Sequence, residues 1–211
     1  MLKKSVVIKA NKIKSKIKFQ FDYRTVLYFT LLICGIIIGV FISKKGSNEW
    51  HIFFENLICN HLITKSSNSI FTNFCSIFSA LFIVFLYNYI SGLCGVGIPF
   101  TSFSPFILGV YYGVILTFYY LSYGFSGIIY CALVNLPLYA ITAATLVKCC
   151  CESSNISKEI FFYLISGKGE GKPLLKEYTI KYLVYLIPVS AGALISALFF
   201  HLFSHLFTFI K

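Results

Sequence analysis

Residues 66–147 contain no Asp, Glu, Lys, Arg or His, and this uncharged stretch limits the possible fold more than any other feature of the chain. A soluble protein needs charged or polar outer faces on its helices to meet water. Lipid permits an uncharged surface, and a transmembrane helix needs about 20 mostly apolar residues. The stretch therefore predicts several consecutive membrane spans.

The composition agrees with a membrane protein. Of the 211 residues, 58% are hydrophobic and 12% are charged, whereas about 25% are charged in soluble domains. Five spans of about 20 residues each leave only short connections and no separate catalytic domain. We expect an all-α polytopic membrane helix bundle with about five transmembrane helices, forming a single membrane domain over residues 26–211.

The apolar runs give the positions of the spans, and the polar runs give the connections. The predicted spans are residues 26–42, 71–90, 104–120, 127–147 and 182–203. Residues 1–25 are a basic segment that either lies against anionic lipid headgroups or is a solvated tail that only sets the topology. Residues 148–181 hold six lysines against four glutamates and predict a cytoplasmic loop, in which Ser157 caps a short helix.

The placement of basic residues predicts the orientation. Fourteen of the eighteen Lys and Arg residues fall in 1–25 and 148–181, on one side of the predicted bundle. Cytoplasmic loops carry this excess, so we expect a cell-membrane protein with a cytoplasmic N-terminus and an extracytoplasmic C-terminus. This distribution favours a lipid partner and excludes nucleic acid as an expected one.

Residues 44–70 form the predicted external loop. Within it, Trp50, Phe53, Phe54 and Leu57 recur at spacings of one and three residues, which is typical of one apolar face of a helix. The segment is either an interfacial helix or a surface that binds protein partners, and the two interpretations are compatible.

Glycine and proline residues mark predicted helix contacts and breaks. The pairs Gly35/Gly39 and Gly109/Gly113 each lie four residues apart, a spacing that lets another helix approach closely. The breaks are predicted at Gly95, Gly97 and Pro99, between the second and third spans, and at Asn135 and Pro137, inside the fourth.

Three features beside these breaks are predicted in more detail. Residues 91–103 are either a tight turn or a short re-entrant segment, since irregular backbone in a membrane needs protein or a water-filled cavity around it. Ser104-Pro105 predicts the start of the third helix, with serine as N-cap and proline at the first position. Residues 122–127 predict a minimal turn before the fourth span.

No cluster of residues predicts catalysis or metal binding. The second, third and fourth spans contain no ionisable Asp, Glu, Lys, Arg or His, the groups that pumps and intramembrane enzymes use. His201 and His205 lie four apart without a third ligand, and the eight cysteines form no C-x-x-C pair. We therefore expect no enzyme activity, metal or cofactor, and interpret Cys149, Cys150 and Cys151 as packing residues rather than acylation sites.

Between Ile90 and Leu138, glycine and proline residues follow a characteristic order: Gly95-Val96-Gly97-Ile98-Pro99, Gly109, Gly113, Gly124, Gly127 and Leu136-Pro137. Together with the basic N-terminus, Cys34-Gly35 and Gly39 in the first span, and the external segment, this order resembles the stage II sporulation protein M family. Leu108, Thr117, Leu138 and Tyr139 depart from the family pattern, so the chain resembles a divergent member.

The resemblance implies a five-span membrane protein that assembles with extracytoplasmic peptidoglycan-degrading enzymes during engulfment of the forespore and is not itself a hydrolase. The first hypothesis is therefore a non-enzymatic membrane scaffold. Such a scaffold would bind membrane or extracytoplasmic proteins and could form a homo-oligomer. The alternative is a membrane subunit of a small-solute transporter or ABC-type permease, in which the broken helix at Gly95 to Pro99 lines the solute path.

Overall fold

The structure is a computed structural model that describes residues 23–45, 69–166 and 175–203. These residues are helical almost throughout, and no strand occurs among them. The elements are α1 (Tyr23–Lys45), α2 (Ile70–Leu93), α3 (Ile98–Tyr130), a π-helical turn (Cys131–Asn135), α4 (Leu136–Ser166) and α5 (Leu175–Phe203). The predicted all-α bundle is confirmed.

Four helical stretches in these ranges are long and apolar enough to cross a membrane: Tyr23–Lys44, Ile70–Leu93, Ile98–Ile165 and Leu175–Phe203. Large apolar side chains cover their outward faces; Ile83 is 66% exposed and Leu183 is 60% exposed. An apolar surface of this extent is stable in lipid and not in water. The protein is therefore embedded in a membrane.

The stretch from Ile98 to Ile165 folds back on itself at Gly124. A straight helix of its 68 residues would be about 100 Å long, over three times the hydrocarbon thickness of a bilayer. Gly124 has φ 59° and ψ −135°, a backbone conformation that glycine adopts without strain. We call residues 98–123 the third arm and residues 125–166 the fourth arm.

Contacts between these two arms show that they run antiparallel. Thr101 contacts Ser154 through their hydroxyls at 3.1 Å, and the rings of Tyr119 and Tyr130 lie 5.3 Å apart between centroids. Residue numbers thus rise on one arm as they fall on the other. The bundle consists of five arms: α1, α2, the third arm, the fourth arm and α5.

The fourth arm occupies the centre of the bundle and contacts each of the other four arms. Its buried residues include Leu146, Val147, Cys149 and Cys150. They recur at intervals of three and four residues, so a continuous stripe of the helix faces inward. The other arms pack against this stripe and its flanks.

α4 differs from the prediction by extending far past Val147. It continues through Ser166, and α5 begins at Leu175, so much of the predicted loop at 148–181 is helical. Ser157 lies inside α4 and does not cap a short helix. The reason is that Ser153, Ser154 and Ser157 are buried and bond to other arms, which makes helix the favoured conformation for a polar stretch.

The start of the third arm also differs from the prediction. The helix begins at Ile98, with Gly97 as its N-cap and Pro99 as its second residue. Pro105 lies inside the helix, and the buried Ser104 hydroxyl has no hydrogen-bond partner among the described residues. The Ser104-Pro105 cap is therefore wrong, because Gly97 and Pro99 start the helix about two turns earlier.

Residues Cys94 to Gly97 form the whole connection between α2 and α3. The Cys94 N–H donates to the Ser91 carbonyl at 3.2 Å, and the Gly97 N–H donates to the Cys94 carbonyl at 2.9 Å. Of the two alternatives for residues 91–103, the structure has the tight turn. The ends of α1 and α2, the arm ends at Gly124 and the start of α5 lie one to seven residues outside the predicted spans, and α5 extends to Phe203, the predicted end of the last span.

Candidate functional site

The four predicted packing glycines of α1 and the third arm lie face to face. An added Cβ at Gly35 would stand 3.1 Å from the Gly109 Cα, and one at Gly113 would stand 3.1 Å from the Ile36 backbone carbonyl carbon. Each value is tighter than ordinary van der Waals contact, and the neighbouring atoms are backbone. The two helices therefore touch along their backbones, as glycine strips permit.

These contacts also fix the direction of the two helices. Gly35 faces Gly109, whereas Gly39 faces Val110 and Gly113 faces Val40. Residue numbers rise together, so α1 and the third arm are parallel. We call the two ends of the bundle the Arg24 end, where α1 begins, and the Lys44 end, where α1 finishes and the chain turns at Gly124.

The predicted break at Gly95, Gly97 and Pro99 lies at the Arg24 end, on the surface of α4. The Gly97 N–H donates to the Ser157 Oγ at 3.0 Å, and the Ser157 hydroxyl donates to the Cys94 carbonyl at 2.7 Å. A Cβ at Gly97 would collide with the Ser91 carbonyl group, whereas at Gly95 the nearest atom would be 3.5 Å away, on Leu164. Ser157 thus holds the turn, and only Gly97 is sterically required.

Ser153 joins α2 and α5 to the fourth arm. Its hydroxyl donates to the Asn88 carbonyl at 3.1 Å, and the Tyr178 hydroxyl donates to the Tyr89 carbonyl at 3.0 Å. Because the Ser153 proton is used, the Tyr182 hydroxyl, 2.6 Å away, is the donor to Ser153 Oγ. Three hydroxyl protons therefore meet three acceptors in a buried site.

Ser154 joins α1 and the third arm to the fourth arm in the same manner. The Thr101 hydroxyl donates to the Ile98 carbonyl at 2.8 Å, which leaves its oxygen to accept from Ser154 at 3.1 Å. Ser154 then accepts from the Tyr28 hydroxyl. The chain of donors runs from Tyr28 through Ser154 and Thr101 to a backbone carbonyl.

These contacts place residues from all five arms in one cluster, which we call the hydroxyl network. Its members are Tyr28, Asn88, Thr101, Ser153, Ser154, Ser157, Tyr178 and Tyr182. All are buried, and every one is uncharged. Such groups hold helices in register, since a polar group left unbonded in lipid is costly.

A further hydroxyl pair joins the third and fourth arms outside the hydroxyl network. The Tyr112 hydroxyl donates to Thr142, whose own proton goes to the Leu138 carbonyl at 2.8 Å. The rings of Tyr112 and Tyr139 are stacked with centroids 3.8 Å apart. The middle of the bundle is thus also fixed by aromatic and hydroxyl contacts between the third and fourth arms.

The predicted break at Asn135 and Pro137 is a π-helical turn. The Leu136 N–H donates to the Cys131 carbonyl, five residues back, and Pro137 has no N–H and would crowd the carbonyl four residues back in a regular helix. The Asn135 amide donates to the Cys131 Sγ at 3.8 Å. The site lies near the Lys44 end and does not meet Gly95 to Pro99.

Charged residues of the described chain lie mainly at the Arg24 end. The Arg24 guanidinium donates to the Asn155 side chain, and Lys181 pairs with Glu152 at 2.9 Å. Both are surface contacts, and a pair of this exposure contributes about 0–1 kcal/mol. They mark the level at which the bundle meets polar surroundings.

Several predicted residues fall elsewhere. Trp50, Phe53, Phe54 and Leu57 lie outside the described residues, as do 1–22 and His205. Within the described ranges no group of three His, Cys, Asp or Glu side chains has the arrangement of a metal site. Cys149 and Cys150 are fully buried, so acylation, the rejected alternative, has no access to them in the folded bundle.

The sequence analysis missed Ser153, Ser154, Tyr178 and Tyr182. A signal for two of them was present: residues 146, 149, 150, 153, 154 and 157 are small or apolar and recur at helical spacing across Lys148 and Glu152. The two tyrosines carry no such signal, because their partners are set by which helices become neighbours.

Compared with known proteins, the chain matches no family model, no curated protein and no solved structure. The likeness to the stage II sporulation protein M family therefore remains a prediction.

Proposed function

We propose that the protein is a non-enzymatic multi-pass membrane scaffold that recruits extracytoplasmic peptidoglycan-remodelling enzymes, as the resemblance to the stage II sporulation protein M family suggests. The observation that carries this proposal is the hydroxyl network, in which polar groups of the other four arms bond to neighbouring serines of the fourth arm. Polar groups that bond to one another hold the helices in fixed positions and are not available for a chemical reaction. The role in sporulation and engulfment comes from the resemblance alone.

The proposal places the Arg24 end in the cytoplasm of a cell-membrane protein. Residues 1–24 precede or begin α1 and carry eight of the Lys and Arg residues, and the described Lys158, Lys176 and Lys181 lie at this end. Basic residues are retained on the cytoplasmic side. α1 and α5 then both run outward, which gives a cytoplasmic N-terminus and an extracytoplasmic C-terminus.

The frame determines how the external segment is presented. Residues 46–68 connect the end of α1 to the start of α2, at the Lys44 end. α1 is held by its backbone contacts with the third arm, and the first half of α2 is held by the buried Ile77, which packs in one cluster with Leu138 and Ala193. Both attachment points are therefore fixed, and a partner that binds the apolar residues Trp50, Phe53, Phe54 and Leu57 meets a rigid anchor.

The absence of charge in residues 66–147 also supports a non-enzymatic role. Intramembrane acid–base chemistry and ion coupling use ionisable side chains, which are rare and functional at membrane depth. In the proposed scaffold, the arms supply packing, hydroxyl contacts and exposed surfaces only.

The transporter or permease subunit stays the second candidate. It requires the break at Gly95 to Pro99 to line a solute path, whereas Ser157 binds that turn through three hydrogen bonds. Deleting residues 50–63 separates the candidates, because flux through the bundle does not need the external segment and partner recruitment does.

The test compares tagged variants in native membranes after crosslinking. Replacing Trp50, Phe53, Phe54 and Leu57 with serine is expected to remove the crosslinked partners. Phe125→Ser is the matched control, because Phe125 is an apolar residue, 75% exposed, at the same end of the bundle but outside the segment. Equal partner recovery from both variants would contradict the proposal, provided that both reach the membrane at wild-type levels.

A further inference from the structure

The polar boundary of the bundle can be located on α1 and carried across to α4. Arg24 and Lys44 delimit the apolar part of α1, and this length of helix rises about 30 Å, the thickness of the hydrocarbon core. Arg24 bonds to Asn155. The hydrocarbon edge at the Arg24 end therefore crosses α4 near Asn155.

α4 nevertheless continues past that edge with apolar side chains. Phe161, Phe162, Tyr163, Leu164 and Ile165 are consecutive and all exposed, Phe162 by 61% and Leu164 by 71%. Five successive residues cover every side of a helix, so no described helix encloses this end of α4.

The turn between α2 and α3 projects to the same level. Ser157 holds it, and Gly95 lies beside Phe161 and Leu164. Val96, at 66%, and Phe100, at 53%, are exposed, and no charged residue occurs in the turn. Together, Leu93, Val96, Phe100 and residues 161–165 form one apolar surface, which we call the tip.

We propose that the tip is a membrane-seated anchor: it lies in the headgroup and upper acyl region of the leaflet at the Arg24 end. This inference is independent of the scaffold role. Phe162 stands about 10 Å along the helix beyond Asn155, and the polar layer extends about 5–8 Å past the hydrocarbon on each side. Membrane helices tilt by up to about 40°, and helical side chains point back toward the start of the helix. Together these bring the rings of Phe161 and Phe162 into that layer, where aromatic side chains are favoured.

Continuity with the membrane-embedded surface identifies lipid as the occupant. The tip is continuous with the lipid-facing surface of α2 and the third arm, where Ile90, Phe103 and Ile107 are each more than half exposed. The described charges beside the tip form two neighbouring pairs of opposite sign, Lys158 with Glu159 and Lys176 with Glu177. They therefore favour no particular headgroup charge.

The test uses the full chain reconstituted at low protein-to-lipid ratio in vesicles of phosphatidylcholine and phosphatidylglycerol. Trp50→Phe removes the single tryptophan, and Phe162→Trp places a reporter in the tip. Leu194→Trp, in the lipid-facing middle of α5 and 45% exposed, is the matched control. The expected result is short-wavelength tryptophan emission from the tip. Lipids brominated near the headgroup should quench it at least half as strongly as the most effective brominated lipid quenches the control.

Each other outcome has a definite meaning. Water-like emission that iodide quenches would overturn the proposal, because the tip would then project into solvent. Short-wavelength emission without quenching by brominated lipid would also overturn it, since a second protein copy would then cover the tip.

The native Cys94 gives a second reporter that introduces no aromatic residue. Cys94 lies in the turn and is exposed. In a variant with serine at Cys34, Cys59, Cys75 and the partly buried Cys151, a water-soluble maleimide should label Cys94 slowly in permeabilised vesicles and rapidly in detergent. Equally rapid labelling in both would place the tip in water.

Discussion

Substituting Gly35 with alanine tests the backbone contact between α1 and the third arm. The added methyl would collide with the Phe106 carbonyl oxygen and would stand 3.1 Å from the Gly109 Cα, whereas carbon atoms at optimal separation are about 3.5–4.0 Å apart. The atoms in the way are backbone atoms and cannot rotate aside. The two helices must therefore part by roughly 0.5–1 Å.

The cost follows from that separation. A gap of about 0.5–1 Å forfeits a quarter to a half of the dispersion energy of each contact it opens, and the contact runs through Gly39 and Gly113 as well. Overpacking of this kind costs about 1–3 kcal/mol. This loss outweighs the gain of up to about 1 kcal/mol that alanine brings to a helix interior.

The assay is equilibrium unfolding of the purified chain in mixed micelles of a mild detergent and dodecyl sulfate. Gly95→Ala is the matched control, because the nearest atom to its added methyl would be 3.5 Å away on a side chain. Gly35→Ala should lower the free energy of unfolding by about 1–3 kcal/mol, while Gly95→Ala leaves it within about 0.5 kcal/mol of wild type. Equal stabilities of the two variants would refute the close packing.

Three other predictions use the same preparation. Ser153→Ala should lower the free energy of unfolding by about 0.6–1.7 kcal/mol, whereas Ser190→Ala, which removes an exposed bond within its own helix, should change it by less than about 0.5 kcal/mol; similar losses would argue against the hydroxyl network. Gly124→Ala should cost about 1–3 kcal/mol through the backbone alone, since no other atom lies within 4 Å of the added methyl, and an unchanged unfolding curve would contradict the bend. A membrane-permeant alkylating reagent, read by mass spectrometry, should label the exposed Cys34 and Cys75 and spare the buried Cys149 and Cys150 until the chain unfolds; labelling of Cys150 in the folded protein would contradict the placement of α4.

The fold class followed from the sequence because the absence of charge in residues 66–147 leaves few alternatives. The glycine pairs were equally visible, but their pairing with one another was not. Hydropathy is the same on every side of a helix in lipid, so the choice of neighbour depends on contacts formed only in the assembled bundle. Local spacing therefore predicts a contact surface without predicting its partner.

The predicted end of the fourth span at Val147 failed for a physical reason. A run such as Glu152-Ser153-Ser154-Asn155 is typical of a loop when each polar group is assumed to face water. In the structure Ser153 and Ser154 face inward and bond to other arms, so their polarity stabilises the helix. Sequence alone does not reveal which polar groups find internal partners.

The third arm presents a conflict between two local signals. Both Pro99 and Ser104-Pro105 are typical of a helix start, and only one can begin the helix. Gly97 accommodates the sharp turn against Ser91, and Ser157 on another arm binds that turn. The tertiary contact selects the earlier start, and it lies 60 residues away in sequence.

A crosslinking pulldown of the tagged wild-type protein from its own membranes, with mass spectrometry of the captured proteins, tests the scaffold role most directly. For a scaffold, we expect recovery of extracytoplasmic peptidoglycan-remodelling enzymes, crosslinked to residues 44–70. Recovery of a cytoplasmic ATPase bound at the Arg24 end, without any wall-directed enzyme, would contradict it and favour the transporter subunit.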